Sequence, residues 1–160
     1  SIPSSVDEIG SCAFNYCTAL SSIVIPDSVT EIEEGAFAEC RALTTVVLPN
    51  SLTEISDYLF SCCTSLSDIL IPASVTEIET GAFQRCTSLV SIVIPDSVTE
   101  IEDIAFSQCS ALRSVLLPAS VTEIGVGAFD KCPNLTLTVF RNSYAERYAQ
   151  RNHIPYAYAD

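Results

Sequence analysis

The chain has 160 residues, 48% of them hydrophobic and 17% charged, which is enough apolar material for a packed core and too little charge for intrinsic disorder. Twenty acidic side chains against seven basic ones leave a formal charge of −13, a field that repels nucleic-acid phosphates and anionic lipid headgroups. One histidine, His153, leaves almost no room for catalysis built on imidazole.

No apolar run reaches the roughly 18 to 20 residues that a membrane-crossing helix needs. The chain opens at Ser1 without the basic and apolar regions of a signal peptide, and without Met, so we expect a processed or excised piece of a longer parent. Any membrane contact then belongs to parts outside this chain.

A period of 23 residues organises the sequence. Ile2-Pro3, Ile25-Pro26, Leu48-Pro49, Ile71-Pro72, Ile94-Pro95 and Leu117-Pro118 open six units that cover residues 2–139, read with no insertion or deletion. Seven places of the unit are identical in all copies: Pro second, Ser fourth, Glu seventh, Ile eighth, Phe thirteenth, Cys sixteenth and Leu nineteenth. A repeat of this length is one supersecondary unit that buries its apolar side only by stacking on its neighbours.

Taken along the chain, the first unit has nothing before it except Ser1, so its backbone edge and apolar side are open to pairing, and we expect further repeats or a cap upstream, or association through this end. Next comes an i, i+3, i+5 spacing of apolar residues, Leu20-Ile23-Ile25 and its copies, in which alternate residues point inward on a strand and the following Pro, lacking an N–H, ends the pairing. The return segment begins with Val29 and Ile32 entering the core from the other side. It continues into Ala36, Phe37 and Cys40 at helical spacing, read as a short strand followed by one helical turn. The aromatic places, Phe14, Phe37, Phe60, Phe83, Phe106 and Phe129, are expected to stack into a spine.

The last unit departs from the pattern, with Thr138 where the inward strand aliphatic belongs, Val139 at the outward apolar place and Pro133 after the ladder Cys. Beyond it, Ser143 with Glu146 makes a capping box, and Tyr144/Tyr148 and Ala145/Ala149 share a helix face, predicting a helix over about 143–151 in a C-terminal cap of residues 140–160. The charge divides the same way: residues 1–139 hold 18 acids and 4 bases, the cap 2 acids and 3 bases. The expected fold is an α/β solenoid, with a parallel β-sheet on one face, short strands and single helical turns on the other, and a C-terminal capping helix.

The unit L-x-x-I-x-I-P-x-x-V-x-x-I-x-x-x-A-F-x-x-C resembles the BspA-like, or TpLRR-class, leucine-rich repeats over residues 2–139, and S-Y-A-x-x-Y-A resembles the tails that close such arrays. Leu59 in place of the usual Ala is a local departure. The resemblance implies a leucine-rich repeat solenoid of a cell-surface or secreted protein that adheres to host matrix or cell-surface proteins.

Three ladders invite a chemical reading. Cys17, Cys40, Cys63, Cys86, Cys109 and Cys132 would lie about 5 Å apart on neighbouring coils, but their Cβ vectors run side by side, so buried free thiols are favoured over disulfides. Cys12 and Cys62 fall outside the ladder; with no C-x-x-C spacing and one His, no zinc site is read. Glu8, Glu31, Glu54, Glu77, Glu100 and Glu123 form an acidic ridge that offers calcium no recognised loop and a glycosidase no pocket setting one acid apart from the next, so it reads as a solvated face. We therefore expect no enzyme, no cofactor and no metal.

The third ladder is the variable outer side of the strands. Val24, Val47, Leu70, Val93 and Leu116 make an apolar stripe flanked by Ser22, Thr45, Asp68, Ser91 and Arg113, a surface suited to a protein or extended peptide. These ten residues are the expected partner-binding face. The competing expectation is a structural spacer or stalk whose outward Val and Leu serve β-propensity alone.

Overall fold

The computed structural model describes residues 2–159. In chain order the first units hold β1 (Glu8–Ile9), β2 (Ser22–Val24), β3 (Glu31–Ile32), β4 (Thr45–Val47), β5 (Glu54–Ile55) and β6 (Glu77–Ile78). There follow β7 (Ser91–Val93), β8 (Glu100–Ile101), β9 (Ser114–Leu116), β10 (Glu123–Ile124), β11 (Thr136–Val139), α1 (Tyr144–Arg151) and β12 (Tyr156–Tyr158). Every strand pairs in parallel with its counterpart on a neighbouring coil, so the chain winds as a solenoid.

Two ladders run along the solenoid. The Glu-Ile strands β1 and β3 pair with each other, and β5, β6, β8 and β10 form a second run in the order β10-β8-β6-β5. On the other side β2 pairs with β4, and β7, β9, β11 and β12 continue as β12-β11-β9-β7. Residues 68–70, the corresponding place in the third unit, adopt no regular strand. Asp68 stands there where the other units have Ser or Thr, and Asp is disfavoured on a pleated surface.

The interruption of the Glu-Ile ladder falls between β3 and β5. Other junctions there close with a backbone bond, Glu33 N–H to the Ile9 carbonyl and Glu79 N–H to Ile55 (both 2.9 Å), whereas at this one the buried Ser56 hydroxyl donates to the Ile32 carbonyl. In four of the six units the invariant Ser has a similar task, while the Ser97 hydroxyl is buried without a partner among the described residues. Ser28, Ser51, Ser74 and Ser120 donate to carbonyls of the preceding coil at 2.6–2.8 Å, satisfying acceptors beside the ladder that would otherwise be buried unpaired.

The return segment corrects one expectation: it contains no helical turn. Gly35 and Glu39, with φ of 61° and 60°, flank Ala36–Ala38, and left-handed residues at that spacing cannot belong to a right-handed helix. The backbone amides instead alternate in direction. Gly35, Phe37 and Glu39 donate to Asp57, Leu59 and Ser61 of the next coil at 2.8–3.1 Å, while Ala36, Ala38 and Cys40 donate three residues back in their own coil. The Ala-Phe-Cys spacing thus reflects a stack of tight turns bonded from coil to coil, whose period imitates that of a helix over five residues.

The phenylalanines stack as expected. Successive ring centroids from Phe14 to Phe129 lie 5.1, 5.8, 5.6, 5.2 and 5.3 Å apart, and Tyr148 of α1 closes the row edge-on at 6.2 Å. Ser143 caps α1, accepting from the Glu146 N–H at 3.1 Å, and the Glu146 carboxylate accepts in turn from the Asn142 N–H at 2.6 Å, one residue beyond the usual box.

The last unit brings a second correction. β11 pairs Leu137 with Val115 and Thr138 with Leu116, an offset of 22 residues instead of 23. One outward residue has been lost between Leu135 and Leu137. Because side chains alternate, the slip inverts the faces: Leu137 and Val139 are fully buried, and Thr138 turns outward. The chain then runs through α1 into β12, which pairs with β11 and completes a shortened seventh rung that the sequence pattern did not announce.

Candidate functional site

The strand side presents the candidate surface. In β4, β7 and β9 the central residues Val46, Ile92 and Val115 are buried while the residues on either side are exposed, the alternation that a one-sided core imposes. Val24, Val47, Leu70, Val93 and Leu116 therefore fall on one outer line, with exposures from 36% at Leu116 to 80% at Leu70. At about 4.8 Å per rung the stripe extends over roughly 19 Å. Val139 does not continue it, as the register slip turns that side chain inward.

Ser22, Thr45, Asp68 and Ser91 are exposed two residues before the stripe, as is Ser114 in β9. Arg113 is exposed one place earlier, its N–H held by the Val90 carbonyl at 2.8 Å. The fold thus brings all ten sequence-predicted residues to one side of the molecule.

The acidic ridge occupies a different side and is more than a solvated face. Glu8 stands opposite Glu31, and Glu54, Glu77, Glu100 and Glu123 follow one another in register, so like charges sit side by side. The neighbouring acids reach backwards to the preceding coil. Glu33 accepts from the Ser11 N–H and hydroxyl at 2.6 and 2.8 Å, Glu79 from the Asp57 N–H at 3.0 Å, and Glu102 from the Thr80 hydroxyl at 2.7 Å. Sequence reasoning missed these tethers, although an acid two residues after the invariant Glu was the available signal.

Desolvation, reinforced by Glu54, Asp57 and Glu102, pushes the Glu79 carboxyl up to about 7 against the Asp57 N–H, which lowers it. Glu54 is raised for the same reasons, desolvation first and then Glu77 and Glu31. A carboxyl raised in the folded state binds its proton more tightly there than in the unfolded chain. Its contribution to stability is complete below about pH 4.5 and disappears as pH climbs through 7. We expect Glu79 to make the unfolding midpoint higher at pH 5.5 than at pH 8, by about 1–2 °C after solvent screening. Thermal melts of Glu79→Gln should show a flatter pH dependence; an unchanged slope would contradict this account.

All eight cysteines are free thiols. Cys40, Cys63, Cys86 and Cys109 are buried, each donating its S–H to the carbonyl of a Phe on the preceding coil, Phe14, Phe37, Phe60 and Phe83 respectively, at 3.1–3.2 Å. Burial pushes the Cys40 thiol up to about 11 and those of Cys63, Cys86 and Cys109 further. Cys17, in the first coil, is exposed instead of buried, and Cys132 is half-buried.

Sequence comparison with curated proteins finds no match. Among solved structures, a leucine rich cell surface protein from Faecalibacterium prausnitzii A2-165 is 42% identical with a TM-score of 0.70, over 71% of this chain and 30% of that one. The leucine rich repeat protein of T. pallidum, TpLRR, is 39% identical with a TM-score of 0.72, over 74% and 58% of the two chains. A leucine-rich repeat protein from Eubacterium ventriosum is 31% identical with a TM-score of 0.76, over 82% and 36%. The chain thus spans less than two thirds of the length of each. No helix among the described residues is long and apolar enough to cross a membrane.

The family model for the BspA type leucine rich repeat region matches in six copies, over residues 1–112 and 82–150. Together the two matched stretches take in nearly the whole chain. This protein belongs to the BspA-type leucine-rich repeat family.

Proposed function

We propose that the chain is a non-enzymatic interaction module of a cell-surface or secreted protein, binding a protein or an extended peptide through its strand side. The observation that carries this reading is the stripe of five exposed aliphatics in a chain whose other large apolar side chains are mostly stacked inside. A row of hydroxyls at Ser22, Thr45, Ser91 and Ser114 supplies adaptable hydrogen bonds beside it. The likeness to a cell surface protein of F. prausnitzii supports the setting, and host matrix or cell-surface proteins are the partners we favour.

The test replaces Val47, Leu70 and Val93 with Ser together. These side chains point away from the core, so the melting temperature should stay within a few degrees of the parent. Binding to a purified matrix or cell-surface protein, measured by biolayer interferometry, should weaken at least about tenfold, equivalent to roughly 1.4 kcal/mol. Full retention of binding would leave the solenoid as a spacer that holds other parts of its parent away from the surface.

A further inference from the structure

The strand side is not the only surface with a consistent chemistry. Residues 1–139 contain four basic side chains against 18 acids, and three of the four, Arg41, Arg85 and Lys131, line one groove of about 430 Å³. The groove runs along the edge of the turn stack, and among the described residues Glu39 is its sole acidic lining residue. Three of seven basic residues have been gathered where an otherwise acidic solenoid would repel the ligands they attract.

The floor of this groove is rigid. Glu39, Cys62, Arg85, Gln108 and Lys131 occupy equivalent places on five successive coils, all in left-handed backbone with φ between 58° and 64°. The amides of the first four donate to the next coil at 2.7–2.8 Å, among the shorter backbone bonds of the fold. The basic groups are also positioned: Arg41 pairs with Glu39 at 2.8 Å, and the Arg85 Nε–H donates to the Gln108 side-chain carbonyl at 3.3 Å. Beside them Thr64, Thr87 and Ser110 present hydroxyls; those of Thr64 and Thr87 make only long bonds of 3.5 and 3.4 Å to backbone carbonyls, so they are readily redirected to a ligand.

Spacing selects the ligand. Arg85 and Lys131 hold equivalent places two coils apart, which at about 4.8 Å per coil puts their backbones roughly 10 Å apart, and Arg41, two coils before Arg85, lies two residues beyond the equivalent place. An extended β-strand returns side chains to one face every ~6.6 Å, out of step with that interval. A polyproline-II helix has three residues per turn at ~3.1 Å each, so side chains at i, i+3 and i+6 recur on one face about every 9.3 Å. Its backbone carbonyls, unpaired within the helix, suit the groove's hydroxyls and the Gln108 amide.

We propose that this groove binds an acidic peptide in polyproline-II conformation, with carboxylates three residues apart facing Arg41, Arg85 and Lys131. The site is separate from the strand side and does not depend on the reading given to that surface.

The full chain would be titrated by fluorescence anisotropy against a labelled peptide with three Glu residues, each separated from the next by two Pro. A control peptide of the same composition would have its three Glu adjacent. The spaced peptide should bind at least about tenfold more tightly than the control. Its affinity should fall by about tenfold in Arg85→Gln and again in Lys131→Gln, and should decline with rising salt. Arg113→Gln, which removes the remaining basic residue of residues 1–139, outside the groove, should leave it unchanged, as should the Val47/Leu70/Val93 triple substitution. Failure to bind either peptide, equal binding of both, or indifference to Arg85→Gln in a protein with unaltered circular dichroism would overturn the proposal. Preference for a hyaluronan oligosaccharide over the spaced peptide would overturn it in favour of a polysaccharide.

Discussion

Replacing Phe83 with Ala should lower the stability of the chain by about 3–5 kcal/mol, the range for deleting a fully buried aromatic ring whose site cannot collapse. The ring has no exposure and stacks on both sides, against Phe60 at 5.6 Å and Phe106 at 5.2 Å. Hydrogen bonds to the next coil, Phe83 N–H to the Ala105 carbonyl at 2.8 Å and the Cys109 side-chain S–H to the Phe83 carbonyl at 3.2 Å, hold the neighbouring coils at their spacing, so the vacated volume stays open. In a solenoid each coil touches only its neighbours, and one lost ring weakens two coil–coil interfaces at once. Phe14 is the matched comparison. It is partly exposed and stacks only on Phe37 among the rings, at 5.1 Å, so Phe14→Ala should cost about half as much. Equilibrium urea unfolding measures both; equal costs at the two positions would contradict a one-dimensional stack.

The second large effect is expected at Gly81, where Ala should cost about 2–3 kcal/mol through steric displacement added to left-handed strain. A Cβ at Gly81 would come within 2.4 and 2.5 Å of the Tyr58 ring. Conformation alone does not explain the glycine, because Tyr58 and Ile104 hold the equivalent place in other coils at φ of 53° and 50°. The six residues at this place are Cys12, Gly35, Tyr58, Gly81, Ile104 and Gly127, so a side chain alternates with a glycine. Cys12 Sγ and Ile104 Cγ2 each approach to 3.4 Å of where the next glycine's Cβ would be. Each larger residue occupies the space its neighbour vacates. In a Tyr58→Gly background the Gly81→Ala cost should therefore shrink to about 1 kcal/mol, the left-handed strain alone. A double-mutant cycle by urea unfolding measures the coupling, and strictly additive costs would contradict the alternation.

That alternation has a period of two units, and a search confined to the 23-residue unit passes over it. It illustrates which features were readable. The identical Phe and Cys places announced a stacked core, since a residue buried on every coil must meet its own copy. The outward Val and Leu could likewise be placed from strand alternation, and the fold carries all five to one side. Phe129 and Tyr148, remote in pattern, could not be matched in advance because the cap has no repeat to compare.

The failures have a common cause. Ala36, Phe37 and Cys40 have helical spacing, yet the neighbouring coil supplies acceptors to alternate amides and Gly35 and Glu39 turn left-handed, so the segment folds as stacked turns. Counting in units of 23 put Thr138 inward, whereas burial of Leu137 and Val139 against the preceding coil selects a one-residue slip. Local periodicity is ambiguous over five or six residues, and contact with the next coil resolves it.

By itself the sequence determined the repeat, the identity of the core ladders, the parallel winding and the outward stripe, because a strict period leaves each buried residue only its own copy to pack against. Tertiary structure alone decided which backbone amides cross between coils, the register of the last strand and the addition of β12 as a final rung. It also decided the gathering of Arg41, Arg85 and Lys131, 44 to 46 residues apart in the chain, along one edge. Residues at that separation come to line one groove only when the solenoid's rise per coil converts two coils of sequence into roughly 10 Å of space.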